Sequence, residues 1–267
     1  MNKFYIQIVF FLLNVSVYLN NKTLATEPAP GNAPKNKSKN RYATPEEIYE
    51  KNKNLLCTNP KETKEAIKLM SEAVIHLVHH ATSEESYEPY NGINYSILSY
   101  YKKKHENHTD ILKAKYKFFD SNQYNNVINM MWDPDYTQLF KVGFDKKKIV
   151  RVYNPNLLII QQRFKNGFMS REKYFYALVK KAQISEDKTI IVMTSANIND
   201  QYPSNKEYKN TIIENANLFK TNIDSEDDIK KGRLKKLFVN IAGYLIEKKN
   251  GYVDVTHIES IDGHASF

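Results

Sequence analysis

Apolar residues recur at helical spacing between Ile67 and Ala81. Ile67, Met70, Ala73, Val74, Leu77, Val78 and Ala81 fall at i, i+3, i+4 and i+7 and form one continuous face. A helix with such a face is built to lie on a sheet. Upstream of it, Asn59, Pro60 and Glu62 form an N-cap, first-turn proline and capping-box set, and Thr44, Pro45 and Glu47 form another. Two helices are therefore predicted to begin at these points. From Asp110 the period changes to two: Leu112, Ala114, Tyr116 and Phe118 alternate with Lys113, Lys115 and Lys117, which predicts a strand with one wet face. Tyr124, Val127, Ile128 and Met131 return to helical spacing. That helix stops at Trp132-Asp133-Pro134, because proline disfavours helix for the residue before it. Six β-branched or aromatic runs then follow in series: Ile149 to Tyr153, Leu157 to Phe164, Lys173 to Lys181, Thr189 to Ser195, Leu237 to Ile246 and Tyr252 to Ser260. Asn250-Gly251 joins the last two as a hairpin turn. Helices first and many consecutive strands afterwards indicate an α+β fold with a curved antiparallel sheet.

The first 42 residues carry a different pattern. Lys3 precedes a mostly apolar run from Phe4 to Leu19, and the small residues Thr23 and Ala25 follow at a spacing suited to signal peptidase. Residues 1–25 read as a secretory signal peptide, with a retained anchor as the alternative. Residues 26–42, rich in Pro, Gly, Ala, Asn and Lys, read as a disordered linker, which leaves 43–267 as the folded domain.

Of the 267 residues, 39 are Lys or Arg and 30 are Asp or Glu, a net charge of +9 that suits an anionic partner. The basic runs at Lys102 to Lys104, Lys146 to Lys148 and Lys230 to Lys236 fit phosphate contacts, but a secretory leader argues against nucleic acid. The single cysteine, Cys57, excludes an intrachain disulfide and the paired-cysteine zinc patterns. His76, His79 and His80 could offer two imidazoles one helical turn apart, but no glutamate accompanies them in the metal-site place, so they read as solvated or helix-end histidines and no metal is expected. His105 and His108 sit in a polar stretch. No nucleophile elbow, phosphate-cradling glycine loop or acid/base pair stands out, so neither an enzyme nor a cofactor is expected. What remains is an excess of 19 Tyr and 13 Phe, which is either ordinary strand composition or the lining of a cavity for acyl chains and a polar or cationic head.

Several motifs stand in an order that resembles the START lipid-transfer domain: the helix ending in Trp132-Asp133, the stretch Met169-Ser170-Arg171-Glu172-Lys173-Tyr174, and Val255-Thr256-His257 leading to Asp262-Gly263. The leader, including Lys22-Thr23-Leu24-Ala25-Thr26-Glu27, and the opening Ala43-Thr44-Pro45-Glu46-Glu47-Ile48-Tyr49-Glu50 resemble the Fam-a proteins of rodent malaria parasites, which carry such a domain. The resemblance implies a helix-grip fold, in which a U-shaped sheet wraps a C-terminal helix around one lipid. It also implies transfer of a phospholipid, phosphatidylcholine above all, between membranes without covalent chemistry. It further implies secretion into the parasitophorous vacuole or export to the host erythrocyte. By position in those motifs Asp133 and Tyr174 are implied to hold the headgroup, with Arg171, Tyr176 and Tyr116 beside them, and Phe168 and Met169 to touch the membrane. An arginine and a cage tryptophan of the phosphatidylcholine binders fall here at Asn129 and near Gln161. The C-terminal lid helix is expected to be missing after Asp262-Gly263, which predicts an open groove over the strands carrying Tyr174 and Phe175. The rival reading is an interaction protein or a decayed paralogue that keeps the fold without transfer.

Overall fold

The computed structural model describes residues 42–95, 98–105, 109–134, 144–165, 170–204 and 206–263. The leader, nearly all of the linker, the loop tip with Phe168 and Met169, and the stretch after Gly263 where a lid helix was expected to be missing lie outside the described residues.

Helix α1 (Pro45–Lys51) opens with the expected capping box: the Thr44 hydroxyl accepts from the Glu47 amide at 3.2 Å and the Glu47 carboxylate accepts from the Thr44 amide at 2.9 Å. Helix α2 (Pro60–Thr82) is capped by Asn59, whose side chain accepts from the Lys61 and Glu62 amides. The second box does not close. Glu62 instead accepts from Arg151 at 2.7 Å and from the Tyr153 hydroxyl at 2.6 Å. An exposed cap amide can bond water, whereas the buried Tyr153 hydroxyl and half-buried Arg151 cannot do so freely, so the carboxylate goes to them.

The strands are β1 (Glu88–Tyr95), β2 (Leu98–His105), β3 (Thr109–Phe119), β4 (Phe144–Asn154), β5 (Leu157–Lys165), β6 (Lys173–Ser185), β7 (Lys188–Thr194), β8 (Asn197–Asn199), β9 (Lys220–Asn222), β10 (Lys235–Lys236), β11 (Phe238–Lys249) and β12 (Tyr252–Asp262). Helix α3 (Tyr124–Trp132) separates β3 from β4, and two single turns, α4 (Asn215–Leu218) and α5 (Asp227–Lys230), lie between β8 and β10. The main sheet runs β1-β2-β3-β12-β11-β7-β6-β5-β4, antiparallel throughout, with β10 added in parallel to β6. The predicted α+β fold with a large antiparallel sheet is the observed one. The Asn250-Gly251 turn joins β11 to β12, with Gly251 at a φ of +82°.

Register assigns every central residue to one of two faces. Ile159, Tyr174, Tyr176, Leu178, Ile190, Val192, Ile241, Leu245 and Ile258 point to the face crossed by α2. Its helical residues Ala66, Leu69, Met70, Ala73, Val74, Leu77 and Ala81 are buried there. The connection between β7 and β11 completes that layer with Ile198, Ile212, Ile213, Ala216, Phe219, Ile223, Ile229 and Leu234. Leu158, Ile160, Phe175, Ala177, Val179, Ile191, Met193, Tyr244 and Ile246 point the other way and are buried with α3 and with Ile48 of α1. The groove expected over Tyr174 and Phe175 is therefore not seen. The two lie on opposite faces, Tyr174 is fully buried under the α2 layer, and Phe175 is 2% exposed.

Two further expectations need correction. The face of β3 that carries Lys113, Lys115 and Lys117 is not uniformly wet: Lys113 is 2% exposed. Its ammonium donates to the Ser83 carbonyl at the end of α2 and lies 3.7 Å from the centre of the Tyr87 ring. That carbonyl is the negative end of a helix and the ring face attracts a cation, so the charge is accommodated, although burial lowers its pKa to about 8. Similarly, His80 is not solvated but 3% exposed, with Nδ1 3.4 Å from the Tyr87 hydroxyl and its ring edge-on to His79 and His105.

Burial, assisted by His79, His76, His105 and Lys103, lowers the pKa of His80 from 6.5 to about 3. Below pH 6.5 the unfolded chain binds a proton that folded His80 refuses, so stability should fall with falling pH by about 1.4 kcal/mol per unit from this group. Urea titrations between pH 7 and 5 should show a flatter dependence in His80→Gln. Gly243, in β11, has a φ of +149°, and a Cβ there would lie 2.1 Å from the Ile191 carbonyl oxygen. Gly243→Ala should cost roughly 3 kcal/mol or more in the same assay, because the obstacle is backbone of a central strand.

Candidate functional site

The end of α3 and the face of the sheet that carries Ile160 form a narrow crevice. Ile149 of β4, Leu158 and Ile160 of β5, Val179 of β6, and Ile191 and Met193 of β7 make its floor. Met131, Trp132, Asp133 and Pro134 close it on the helix side, and Lys147 stands at its rim. The arrangement follows from two local rules. Strand alternation places these aliphatic residues on one face, and the helix ends at Trp132 because Pro134 forces Asp133 into extended backbone, with φ −63° and ψ 121°. The Asp133 carboxylate accepts from the Ala43 amide at 3.3 Å, which fixes the start of the described chain against the crevice. The enclosed space is about 30 Å³, room for one water and well below the roughly 300–1,000 Å³ of an open ligand pocket.

The crevice adjoins an open cleft of about 680 Å³ through the shared residues Pro134 and Lys147. Five cations, Lys146, Lys147, Lys148, Arg163 and Arg233, line it against three carboxylates, Glu226, Asp227 and Asp228. Arg163 is held bidentately by Asp228 at 2.7 and 3.0 Å, and Lys148 pairs with Glu226 at 3.0 Å. Glu226 also accepts from the buried Gln161 amide at 2.7 Å. These donors outweigh burial and hold its pKa down to about 2, so the carboxylate is charged at neutral pH.

The five residues expected to hold a lipid do not converge. Asp133 lines the crevice. Tyr116 shares its face of the sheet but sits on β3, separated from β7 by β12 and β11. Tyr174 and Tyr176 lie on the opposite face. The Tyr174 hydroxyl donates to Asp200 at 2.9 Å, and Asp200 also accepts from Lys236 at 2.8 Å. Burial, together with that carboxylate, pushes the Tyr174 phenol well above its ordinary pKa. Tyr176 shares hydrogen bonds with Ser225 and Gln161. Arg171 donates to the carbonyls of Gly232 and Arg233 and thereby clamps the turn after α5. In the sequence Trp132 stood out only as part of a motif, Lys147 only within a basic run suited to phosphate contacts, and the aliphatic floor not at all. The available signal was parity: Leu158/Ile160, Val179 and Ile191/Met193 share one strand phase, Tyr174/Tyr176 the other.

Tyr174→Phe should remove one of three donors to a buried carboxylate, the others being Lys236 and the Tyr202 amide, and lower stability by about 1–3 kcal/mol. Chemical denaturation measures it, and Asp200→Asn should give a loss of similar size.

No family model and no curated protein sequence matches this chain. Solved structures do. Human StAR-related lipid transfer protein 5 is similar with a TM-score of 0.51 over 76% of this chain and 84% of its own, at 8% identity. Human STARD10 gives a TM-score of 0.44 at 12% identity, covering 72% of this chain and 66% of that one. The human StarD13 lipid transfer and protein localization domain gives 0.41 at 16%, covering 71% and 82%. By the first of these superpositions, taken with its own strand order, the chain has the helix-grip fold of the StAR-related lipid transfer domains.

Proposed function

We propose that this protein binds one phospholipid in the crevice beneath Trp132 and carries it between membranes. The observation that carries the reading is a slot floored by six aliphatic side chains and rimmed by Asp133 and Lys147, placed where the sheet meets α3. An acyl chain suits the floor and a polar head suits the rim. Similarity of fold to a protein named for lipid transfer supports it. Because the enclosed space is only about 30 Å³, loading requires α3 to separate from β4–β7. Binding is then coupled to opening, and release at an acceptor membrane to closing.

Phosphatidylcholine is the headgroup implied by the resemblance, but Tyr174 and Tyr176 do not stand at the crevice, so choline would be held without them. The leader reading of residues 1–25 supports a secreted or exported carrier in the manner of the Fam-a proteins. The net charge of +9 suits anionic membrane surfaces. No chemical step is required of the protein, and the ligand leaves unchanged.

The test is transfer of a labelled phospholipid between liposomes, with mass spectrometry of lipid that co-purifies with the protein. Wild-type protein should carry lipid, and Val179→Trp, which fills the slot, should lose most of the transfer rate. Tyr174→Phe, on the far face, should keep it. Absence of lipid and transfer in the wild type, or full transfer by Val179→Trp, would show that the fold serves as an interaction module instead.

A further inference from the structure

Trp132 is the only tryptophan in the chain and is 6% exposed. It lines the crevice, and its indole Nε1–H is buried with no hydrogen-bond partner among the described residues. A buried donor left unmet costs roughly 1–3 kcal/mol. The floor of the crevice is aliphatic and offers it no acceptor, and Asp133 at the helix end directs Oδ2 to the Ala43 amide. The donor is therefore left without an acceptor among the described residues. The crevice and the cleft share Lys147 and Pro134, and the cleft carries five cations against three carboxylates. An acceptor entering there meets a positive field before it meets the indole.

We propose that the Trp132 indole N–H is the hydrogen-bond donor to the phosphate of the bound lipid, seated at the junction of the crevice and the basic cleft. This rests on the lipid-binding reading above and names the group that anchors the ligand. The 30 Å³ of the crevice has room for about one water and no more. A phosphate oxygen brought in as the crevice widens gives the indole the acceptor it lacks. The acyl chains then occupy the widened floor, and the phosphate lies between Trp132 and the Lys147 rim. Recognition at this point requires an anionic oxygen on an apolar tail and is indifferent to what the phosphate is esterified to.

A lone tryptophan gives one indole cross-peak in a 1H–15N spectrum of the full chain, and that peak is the direct reporter. Titration with dioctanoyl phosphatidylglycerol should move it downfield. Dioctanoylglycerol, which has the same chains and ester carbonyls without phosphate, should not, and neither should inorganic phosphate alone. A second arm uses Trp132→Phe, which keeps an aromatic ring and removes the donor. Its affinity for the phospholipid should fall roughly tenfold to a hundredfold, with dioctanoylglycerol binding unchanged. An equal shift with dioctanoylglycerol would assign the donor to an ester carbonyl, and an equal shift with inorganic phosphate would assign the junction to a free anion; either overturns the proposal. An unmoved indole in protein that still extracts phospholipid from vesicles overturns it while leaving lipid binding intact. Failure of every lipid to bind overturns both.

Discussion

Every other feature of the molecule depends on one constraint: the central strands β5, β6, β7 and β11 are apolar on both faces, so the sheet must be covered twice. Ile159, Leu178, Ile190 and Leu245 on one face and Ile160, Val179, Ile191 and Ile246 on the other are all buried. At about 25 cal/mol per Å² of apolar surface, neither face of such a sheet can be left in water. The amphipathic α2 and the connection between β7 and β11 satisfy one face, and α3 with α1 lies against the other. The two coverings differ in kind. The α2 layer is long, continuous and tied down by polar anchors, whereas α3 is a nine-residue helix that leaves a crevice at its C-terminal end.

Polar groups fix the first covering in place. Glu62 joins the N-terminus of α2 to Arg151 and Tyr153 of β4, while Arg151 also reaches Thr221 and Asn222 of the connection. Lys113 holds the other end of α2 through Ser83, and Asn210 ties the connection to Thr194 and Asn240 of the sheet. Tyr174 and Tyr176 belong to this scaffold. Their hydroxyls bond Asp200, Ser225 and Gln161, all buried, so they orient the connecting segment against the sheet.

Most of the elements were legible because each is encoded locally. Thr44 and Asn59 announce their helices, Pro134 ends the third, and the β-branched runs from Ile149 onward match strands β4 to β7, β11 and β12 to within a few residues, except at the start of β4 and the ends of β6 and β11. What was not legible depends on partners distant in sequence. Strands β1 and β2 are rich in Lys, Tyr and Asn and become strands by pairing in series onto β3. The burial of Lys113 and His80 depends on Tyr87 and the end of α2. Most consequential for the site is strand phase. A tyrosine at 174 or 176 and an aliphatic residue at 179 are equally good strand residues, and which of them faces α3 is decided by the whole sheet. The helix end at Asp133 was legible because Pro134 follows it; the floor beneath it has no such signature.

The lipid site proposed above lies on the α3 side of the sheet. Photo-crosslinking with a phosphatidylcholine carrying a diazirine in one acyl chain, followed by peptide mapping, tests it most directly. Label on Ile160, Val179, Ile191 or Met193 is the predicted result. Label on Tyr174, Tyr176 or α2, or none above the level of protein irradiated with free diazirine, would contradict it.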